Sequence, residues 1–323
     1  MSVAVLLAVT VGALGGGVAV AAAGKPTLHF RVFANVDHHM DGLVWTGKQF
    51  VYVENTTNVL YTAPAQGTPV QQFATMPTLV EETRCVLSPG AHGFPAGVLF
   101  CHSPDDKIYE ISADGKSVTV FATLPAAANV SDGALAFDDV GKLGYQLVAA
   151  TGRSGAPQPS GGTVYTVSAS GQVATVGSYA GPGGADQVMI APASFGSVGG
   201  QALLTVDPGS SSGAVVAMDA AGATRTLATF DDGPDPIMAI PAASAQASTG
   251  PPAGVYVTND INNDVYFAPA TGLGAYAGDI LVGTENHAEF WILKPHGNDF
   301  TKLKVRHTLR GGHYSLEGGI FIG

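Results

Sequence analysis

Five segments of the chain share one pattern: an apolar strand, a turn containing glycine, and a second strand of alternating polarity. They begin at residues 58, 107, 163, 214 and 289 and read NVLYTAPAQGTPVQQFATM, KIYEISADGKSVTVFATLP, TVYTVSASGQVATVGSYAG, AVVAMDAAGATRTLATFDD and EFWILKPHGNDFTKLKVRH. Each pattern is typical of a β-hairpin. Five hairpins of one kind indicate a fold built by repetition.

A further apolar strand precedes each hairpin, and an inner strand rich in small residues precedes that one. The inner strands share their register, because each opens with a carboxylate. They read DGLVW from Asp41, ETRCVL from Glu82, DGALAF from Asp132, DQVMIA from Asp186, DPIMAI from Asp235 and EGGIFI from Glu317. Four strands per unit, at spacings of 41 to 54 residues, predict the blades of a β-propeller.

The last spacing, between Asp235 and Glu317, is 82 residues. It contains an additional hairpin, GVYVTNDINNDVYFAP, which we interpret as an insertion in the fifth unit that covers the channel mouth. The predicted fold is therefore an all-β, six-bladed β-propeller. Its last blade is formed from both termini, with TLHFRVFANV as outer strand and SLEGGIFIG as inner strand. The two middle strands of that blade are missing from this interpretation, so truncation of the chain is expected.

The composition narrows the class of protein. Hydrophobic residues make up 46% of the chain and charged residues 12%, with 43 glycines and 20 prolines. This balance favours many short strands and tight turns over a disordered chain. The formal net charge of −11 would repel a polyanion, which excludes nucleic acid as a partner.

The first 26 residues, MSVAVLLAVTVGALGGGVAVAAAGKP, form an apolar stretch that ends in small residues. A secretory signal over residues 1–23 is favoured over a membrane anchor, because Ala21-Ala22-Ala23 offers a cleavage site and GALGGG weakens a spanning helix. The mature protein, a single domain over residues 24–323, is then secreted to the periplasm or the exterior. Oxidation suits that location, and a disulfide between Cys85 and Cys101 on consecutive strands is favoured over free thiols.

The inner strands of a propeller line its channel, so the six carboxylates are expected at one mouth. Grouped like charges raise each other's pKa or require a cation, and oxygen ligands favour Ca²⁺, with Mg²⁺ or Zn²⁺ as alternatives. The other explanation is turn chemistry, since Asp before Gly or Pro commonly bonds nearby backbone N–H groups. The shared register favours a metal site formed by three or four of Asp41, Glu82, Asp132, Asp186, Asp235 and Glu317.

The DGLVW strand and the segment SDGALAFDDVGKL resemble the blades of six-bladed propellers of the SMP-30/gluconolactonase-like superfamily. The resemblance extends at blade level over most of residues 27 to 323. It implies that Asp41, Asp132, Asp186 and Asp235 match metal-binding positions, although no Asn ligand is present among them. It further implies metal-dependent hydrolysis of a lactone or related ester.

Three histidines are candidate catalytic bases in such a reaction. His38 and His39 stand directly before Asp41, and His313 stands before Glu317. Histidine titrates near neutral pH and could activate a water molecule. The alternative is that these are exposed loop histidines.

Two functions from different classes follow. The first is a secreted hydrolase of the lactonase or esterase type, dependent on a divalent metal, with a small-molecule substrate at the channel mouth. The second is a non-catalytic propeller that binds a ligand or protein partner. A redox propeller with a quinone cofactor is ranked last. The aromatic residues we can place fall inside strands as inter-blade packing, namely Tyr52, Phe100, Tyr109 and Tyr165, which favours the first function.

Overall fold

The computed structural model describes residues 25–78, 83–125, 132–152, 161–181, 183–208, 212–242, 250–309 and 314–323. Within these ranges the chain is built of strands and three single turns of 3₁₀ helix. No helix in the described ranges is long and apolar enough to cross a membrane.

Two short strands at the beginning of the described chain take part in ring closure. β1 (Thr27–Leu28) pairs in parallel with a short strand near residue 306, and β2 (Arg31–Asn35) is an outer strand of the last blade.

Blades 1 to 4 follow in chain order, and in each the four strands run from the channel outwards. Blade 1 contains β3 (Met40–Trp45), β4 (Gln49–Glu54), β5 (Val59–Pro64) and β6 (Gln71–Thr75). Blade 2 contains β7 (Arg84–Pro89), β8 (Ala96–Ser103), β9 (Lys107–Ile111) and β10 (Val118–Thr123). Blade 3 contains β11 (Asp132–Phe137), β12 (Leu147–Gly152), β13 (Gly162–Val167) and β14 (Val173–Tyr179). Blade 4 contains β15 (Gly184–Ile190), β16 (Ala202–Asp207), β17 (Ala214–Met218) and β18 (Thr224–Thr229).

The last two blades are interleaved along the chain. The remaining strands are β19 (Pro234–Ala239), β20 (Gly254–Asn259), β21 (Asp264–Pro269), β22 (Ile280–Thr284), β23 (Phe290–His296), β24 (Asp299–Lys304), β25 (Arg306–His307) and β26 (Leu316–Ile322). Blade 5 has the order β19-β22-β23-β24, whereas blade 6 has the order β26-β20-β21-β2 from the channel outwards. The short helices are Gly196–Val198, Ala270–Gly272 and Gly274–Tyr276.

The six-bladed prediction is confirmed, and one part of it is corrected. The hairpin GVYVTNDINNDVYFAP does not cover the channel mouth. Its strands β20 and β21 are the two middle strands of blade 6, between the C-terminal β26 and the N-terminal β2. The blade is therefore assembled from three separated segments, and its two middle strands are present in the chain.

Six clusters of buried side chains hold the ring together, and each lies between two neighbouring blades. The strand period of two explains the division of residues between clusters. In β4, Phe50 and Tyr52 pack against blade 6, whereas Val51 and Val53 pack against blade 2. Each such side chain, fully buried, contributes about 1.5–3 kcal/mol to stability. The predicted inter-blade packing of Tyr52, Phe100, Tyr109 and Tyr165 is confirmed, since all four are buried.

The predicted disulfide is also present. Cys85 of β7 stands directly opposite Cys101 of β8, with 4.0 Å between their Cα atoms. The bridge packs into the cluster between blades 1 and 2, so it cross-links two strands of one sheet beside the channel.

Candidate site at the channel mouth

Four of the predicted carboxylates share a backbone feature that the sequence did not reveal. Each lies in a β-bulge at the start of an inner strand, where the pairing with the second strand shifts register. The bulged residues are Asp41, Asp186, Asp235 and Glu317. A bulge inserts an unpaired residue and re-aims its side chain. The bulges therefore explain why these carboxylates are directed away from the apolar side chains that pack between blades.

Three of these carboxylates meet on one guanidinium. Arg84, the first residue of β7, forms an ion pair with Asp41 through Nη1. Its Nη2 lies 3.2 Å from Asp235 Oδ2 and 3.8 Å from Glu317 Oε2. The same Nη2 donates to the Glu317 carbonyl at 3.2 Å. The contact joins four blades, because Asp41, Arg84, Asp235 and Glu317 come from blades 1, 2, 5 and 6.

All four side chains are removed from solvent. The exposed fraction is 0% for Asp41, 6% for Arg84, 2% for Asp235 and 8% for Glu317. Buried charges are tolerated only when they are paired. The ion pairs therefore explain how acidic groups can close the centre of an apolar ring.

The carboxyl group of Glu317 has a second acidic neighbour, Glu285. Burial raises the pKa of its carboxyl, and repulsion from Glu285 adds to the effect, while Arg84 opposes it. The Ser315 hydroxyl lies 2.5 Å from Glu317 Oε1 and 3.2 Å from Glu285 Oε1. Because burial and the repulsion from Glu285 outweigh the attraction to Arg84, this carboxyl holds a proton more readily than an exposed glutamate.

Gln187 and Thr258 extend the cluster to neighbouring blades. Gln187 Nε2 donates to the Glu317 carbonyl at 2.9 Å. Thr258 Oγ1 lies 3.2 Å from the Asp41 carbonyl and accepts from the Gly318 N–H at 2.8 Å. Polar groups at the start of the inner strands are thus connected to one another rather than left open to a ligand.

The two neighbouring histidines do not act together. His39 Nδ1 lies 3.1 Å from Asp260 Oδ1, across the junction of blades 1 and 6. Burial raises the pKa of Asp260, and His39 opposes that shift. His38 instead stacks on Tyr61, with 4.0 Å between ring centroids. His39 is therefore held by a carboxylate as a base would be, whereas His38 packs on a ring.

Three of the predicted site residues cannot be placed. Glu82 and His313 lie outside the described residues. Asp132 begins β11, where its backbone pairs regularly with Gly152 and no bulge interrupts the ladder, but its side chain also lies outside the description. Sequence reasoning missed Arg84 and Asp260, although the single arginine at the start of the apolar TRCVLSP strand was a visible signal for the first.

Beyond the Arg84 cluster, the channel contains a cavity of about 370 Å³. Arg84 and Gln187 line the end beside the cluster, and Asp139 lines the end that follows β11. Leu43, Val86 and Ile237 contribute to its apolar wall. Each inner strand pairs on one side within the described sheets, so its other edge directs backbone N–H and C=O groups to the channel.

The mouth does not fit a divalent cation as the chain is folded. Ca²⁺ requires six to eight oxygens within about 2.3–2.6 Å, and the Arg84 guanidinium lies where Asp41, Asp235 and Glu317 converge. Across the described part of the chain, no group of three or more His, Cys, Asp or Glu residues could hold a metal ion.

Solved structures share this fold at low sequence identity. Regucalcin from Agrobacterium tumefaciens, a calcium-binding protein, is 12% identical with a TM-score of 0.51, and the match covers 92% of this chain and 84% of that one. The PQQ-bound aldose sugar dehydrogenase from Streptomyces coelicolor is 12% identical with a TM-score of 0.51, covering 88% and 89%. No family model and no curated protein matches the sequence.

These likenesses concern the fold. The chain, with its six four-stranded blades, shares its overall fold with the regucalcin and aldose sugar dehydrogenase structures. A calcium-binding protein and a quinone enzyme share it equally at this level. Function must therefore be argued from the site.

Proposed function

We propose that the protein is an exported propeller that binds a small neutral molecule in its central channel, without a divalent metal. The observation that carries this proposal is the cavity of about 370 Å³, closed at one end by the Arg84 cluster. A well-formed cavity with a few polar groups is the usual position of a ligand in a protein of this size.

The wall of the cavity defines the class of ligand. Aliphatic side chains alternate with the free backbone edges of the inner strands, which offer both donors and acceptors. The charged groups of the Arg84 cluster already contact one another, and Gln187 donates to the Glu317 carbonyl. These groups therefore offer few contacts to an added ion. A compact, uncharged molecule with one or two carbonyl or hydroxyl groups, such as a lactone or small ester, matches this wall.

The test is binding of γ-butyrolactone, measured by saturation-transfer NMR on the wild type and two variants. Ala239→Phe places a ring against the channel wall, because Ala239 lines the cavity. Ala221→Phe is the matched control, since Ala221 lies in an exposed turn. We expect the signal in the wild type and in Ala221→Phe, and its loss in Ala239→Phe. Equal signals in all three proteins, or none in the wild type, would contradict channel binding.

Metal-dependent hydrolysis of a lactone or ester is a second candidate function, favoured by one observation. His39 Nδ1 lies 3.1 Å from Asp260 Oδ1, and a carboxylate in this position can orient an imidazole that acts as a general base. The measurement is turnover of phenyl acetate with EDTA or added Ca²⁺, in the wild type, His39→Gln and the exposed control His92→Gln. Turnover that needs Ca²⁺ and is lost only in His39→Gln would establish this candidate in place of simple binding.

Export is part of the proposal, and the disulfide supports it. A bridge between Cys85 and Cys101 is stable in an oxidising compartment and is rarely retained in a reducing one. N-terminal sequencing of the protein recovered outside the producing cells is the test. Cleavage near Ala23 is expected, while retention of the first residues in a membrane fraction would favour an anchor.

A further inference from the structure

The centre of the acidic mouth is an arginine side chain supplied by blade 2. Three carboxylates from blades 1, 5 and 6 converge on its guanidinium, and all three lie in β-bulges. In blade 2 the described pairing begins at Arg84, which stands opposite His102 in regular register with Cys85 and Cys101. The cluster is therefore asymmetric: three blades supply carboxylates from bulges, and blade 2 supplies the positive charge from a regularly paired residue.

The guanidinium places a positive charge at the point where the three carboxylates converge. Arginine remains protonated at any pH at which the protein is folded, so its positive charge is permanent. Its planar fork reaches several carboxylate oxygens at once, which a single ammonium group does less well. Asp41 contacts Nη1, whereas Asp235 and Glu317 contact Nη2.

We propose that Arg84 is a built-in cation that replaces a divalent metal ion at the centre of the propeller. The native chain then closes its channel without metal. A chain that lacks the Arg84 side chain leaves Asp41, Asp235 and Glu317 around an open space, and this space takes up Ca²⁺. The inference does not depend on which molecule fills the channel beyond the cluster.

The experiment compares thermal midpoints in EDTA and in increasing Ca²⁺ for the wild type, Asp41→Asn and three variants of Arg84. Arg84→Ala opens the space, Arg84→Met fills it with an uncharged chain, and Arg84→Ala combined with Asp41→Asn removes one ligand. A cation that binds only the folded state raises the midpoint in a concentration-dependent way. We expect such a rise for Arg84→Ala, a much smaller one for each of the other two variants, and none for the wild type.

Two results would overturn the inference. The first is a wild-type midpoint that rises with Ca²⁺ and loses this response in Asp41→Asn, since the metal would then bind beside Arg84 or displace it. The second is an Arg84→Ala protein whose midpoint does not change with Ca²⁺, Mg²⁺ or Zn²⁺.

If Arg84→Ala does not accumulate as folded protein, its refolding from urea tests the inference instead. Recovery with Ca²⁺ but not with EDTA supports the proposal, and equal failure in both contradicts it. The γ-butyrolactone experiment is independent, because it uses variants with Arg84 intact.

Discussion

Arg84 Nη2 and Asp235 Oδ2 are 3.2 Å apart, although 151 residues separate them in the chain. The contact spans the channel from blade 2 to blade 5. Because both side chains are almost fully buried, we expect Asp235→Asn to lower the free energy of unfolding by about 3 kcal/mol. The loss stays at the lower end of the range for buried pairs, since Arg84 keeps Asp41 and Glu317. Urea unfolding followed by tryptophan fluorescence measures it.

The exposed pair of Arg225 and Asp299 is the matched control, because it joins the same two residue types at 2.9 Å. Its aspartate side chain is 86% exposed. Exposed pairs contribute at most about 1 kcal/mol, so Asp299→Asn is expected to change stability by less than that. Equal losses in the two variants would show that the central contact is no stronger than a surface pair.

The repetition of strands made the architecture predictable. Contacts between distant segments could not be predicted from local sequence patterns. The inner-strand register located Asp41, Asp186, Asp235 and Glu317 correctly at the starts of inner strands, because a blade repeats its own spacing. The hairpin of β20 and β21 was assigned to the wrong blade, since adjacency in the sequence favoured the fifth unit.

The role of Arg84 was not predictable for a similar reason. A pattern of six acids directs attention to an external cation, and nothing in the residues beside Arg84 shows that three other blades deliver their carboxylates to it. The β-bulges, too, depend on the pairing of two strands and not on one segment alone. Contacts between distant segments, rather than residue types alone, determine which charged groups meet at the channel mouth.

His102 predicts a loss of stability in acid. Burial lowers the pKa of its imidazole to about 4, and attraction to Asp105 opposes the shift only in part. The unfolded chain binds a proton near pH 6.5, so it gains protons before the folded chain does. The contribution of neutral His102 to the free energy of unfolding is therefore fully present above pH 6.5. It declines as the pH falls towards 4, by up to about 3 kcal/mol.

The measurement is urea unfolding at intervals between pH 7 and pH 4.5 for the wild type, His102→Gln and His92→Gln. His92 is exposed and serves as the control. We expect the decline to be shallower in His102→Gln alone, whatever its stability at neutral pH. Parallel pH curves for the wild type and His102→Gln would show that the buried imidazole is not the titrating group.

The disulfide predicts a redox-dependent stability. Cys85 and Cys101 are 16 residues apart, and closing a loop of this length restricts the unfolded chain by about 3 kcal/mol. We expect a Cys85→Ala, Cys101→Ala double variant to lose about that much free energy of unfolding, and therefore to unfold at a lower urea concentration. Dithiothreitol should destabilise the wild type to a similar extent and leave the double variant unchanged. A wild type indifferent to reduction would show that the bridge contributes little.

The junction of blades 1 and 6 predicts a strict requirement for glycine at position 318. A Cβ atom there would lie 2.5 Å from the Asp41 carbonyl oxygen, closer than atoms of this kind approach. We expect Gly318→Ala to lower the free energy of unfolding by about 1–3 kcal/mol, because two inner strands must separate to admit one methyl group. Gly274→Ala is the control, since a Cβ at that position meets nothing within 4 Å, and a change within about 0.5 kcal/mol is expected.

Because Gly318 adjoins Glu317, Gly318→Ala also shifts one carboxylate of the Arg84 cluster. Combining Gly318→Ala with Asp235→Asn should therefore give a loss smaller than the sum of the two single losses. Strict additivity would show that the strand junction and the ion cluster are energetically separate.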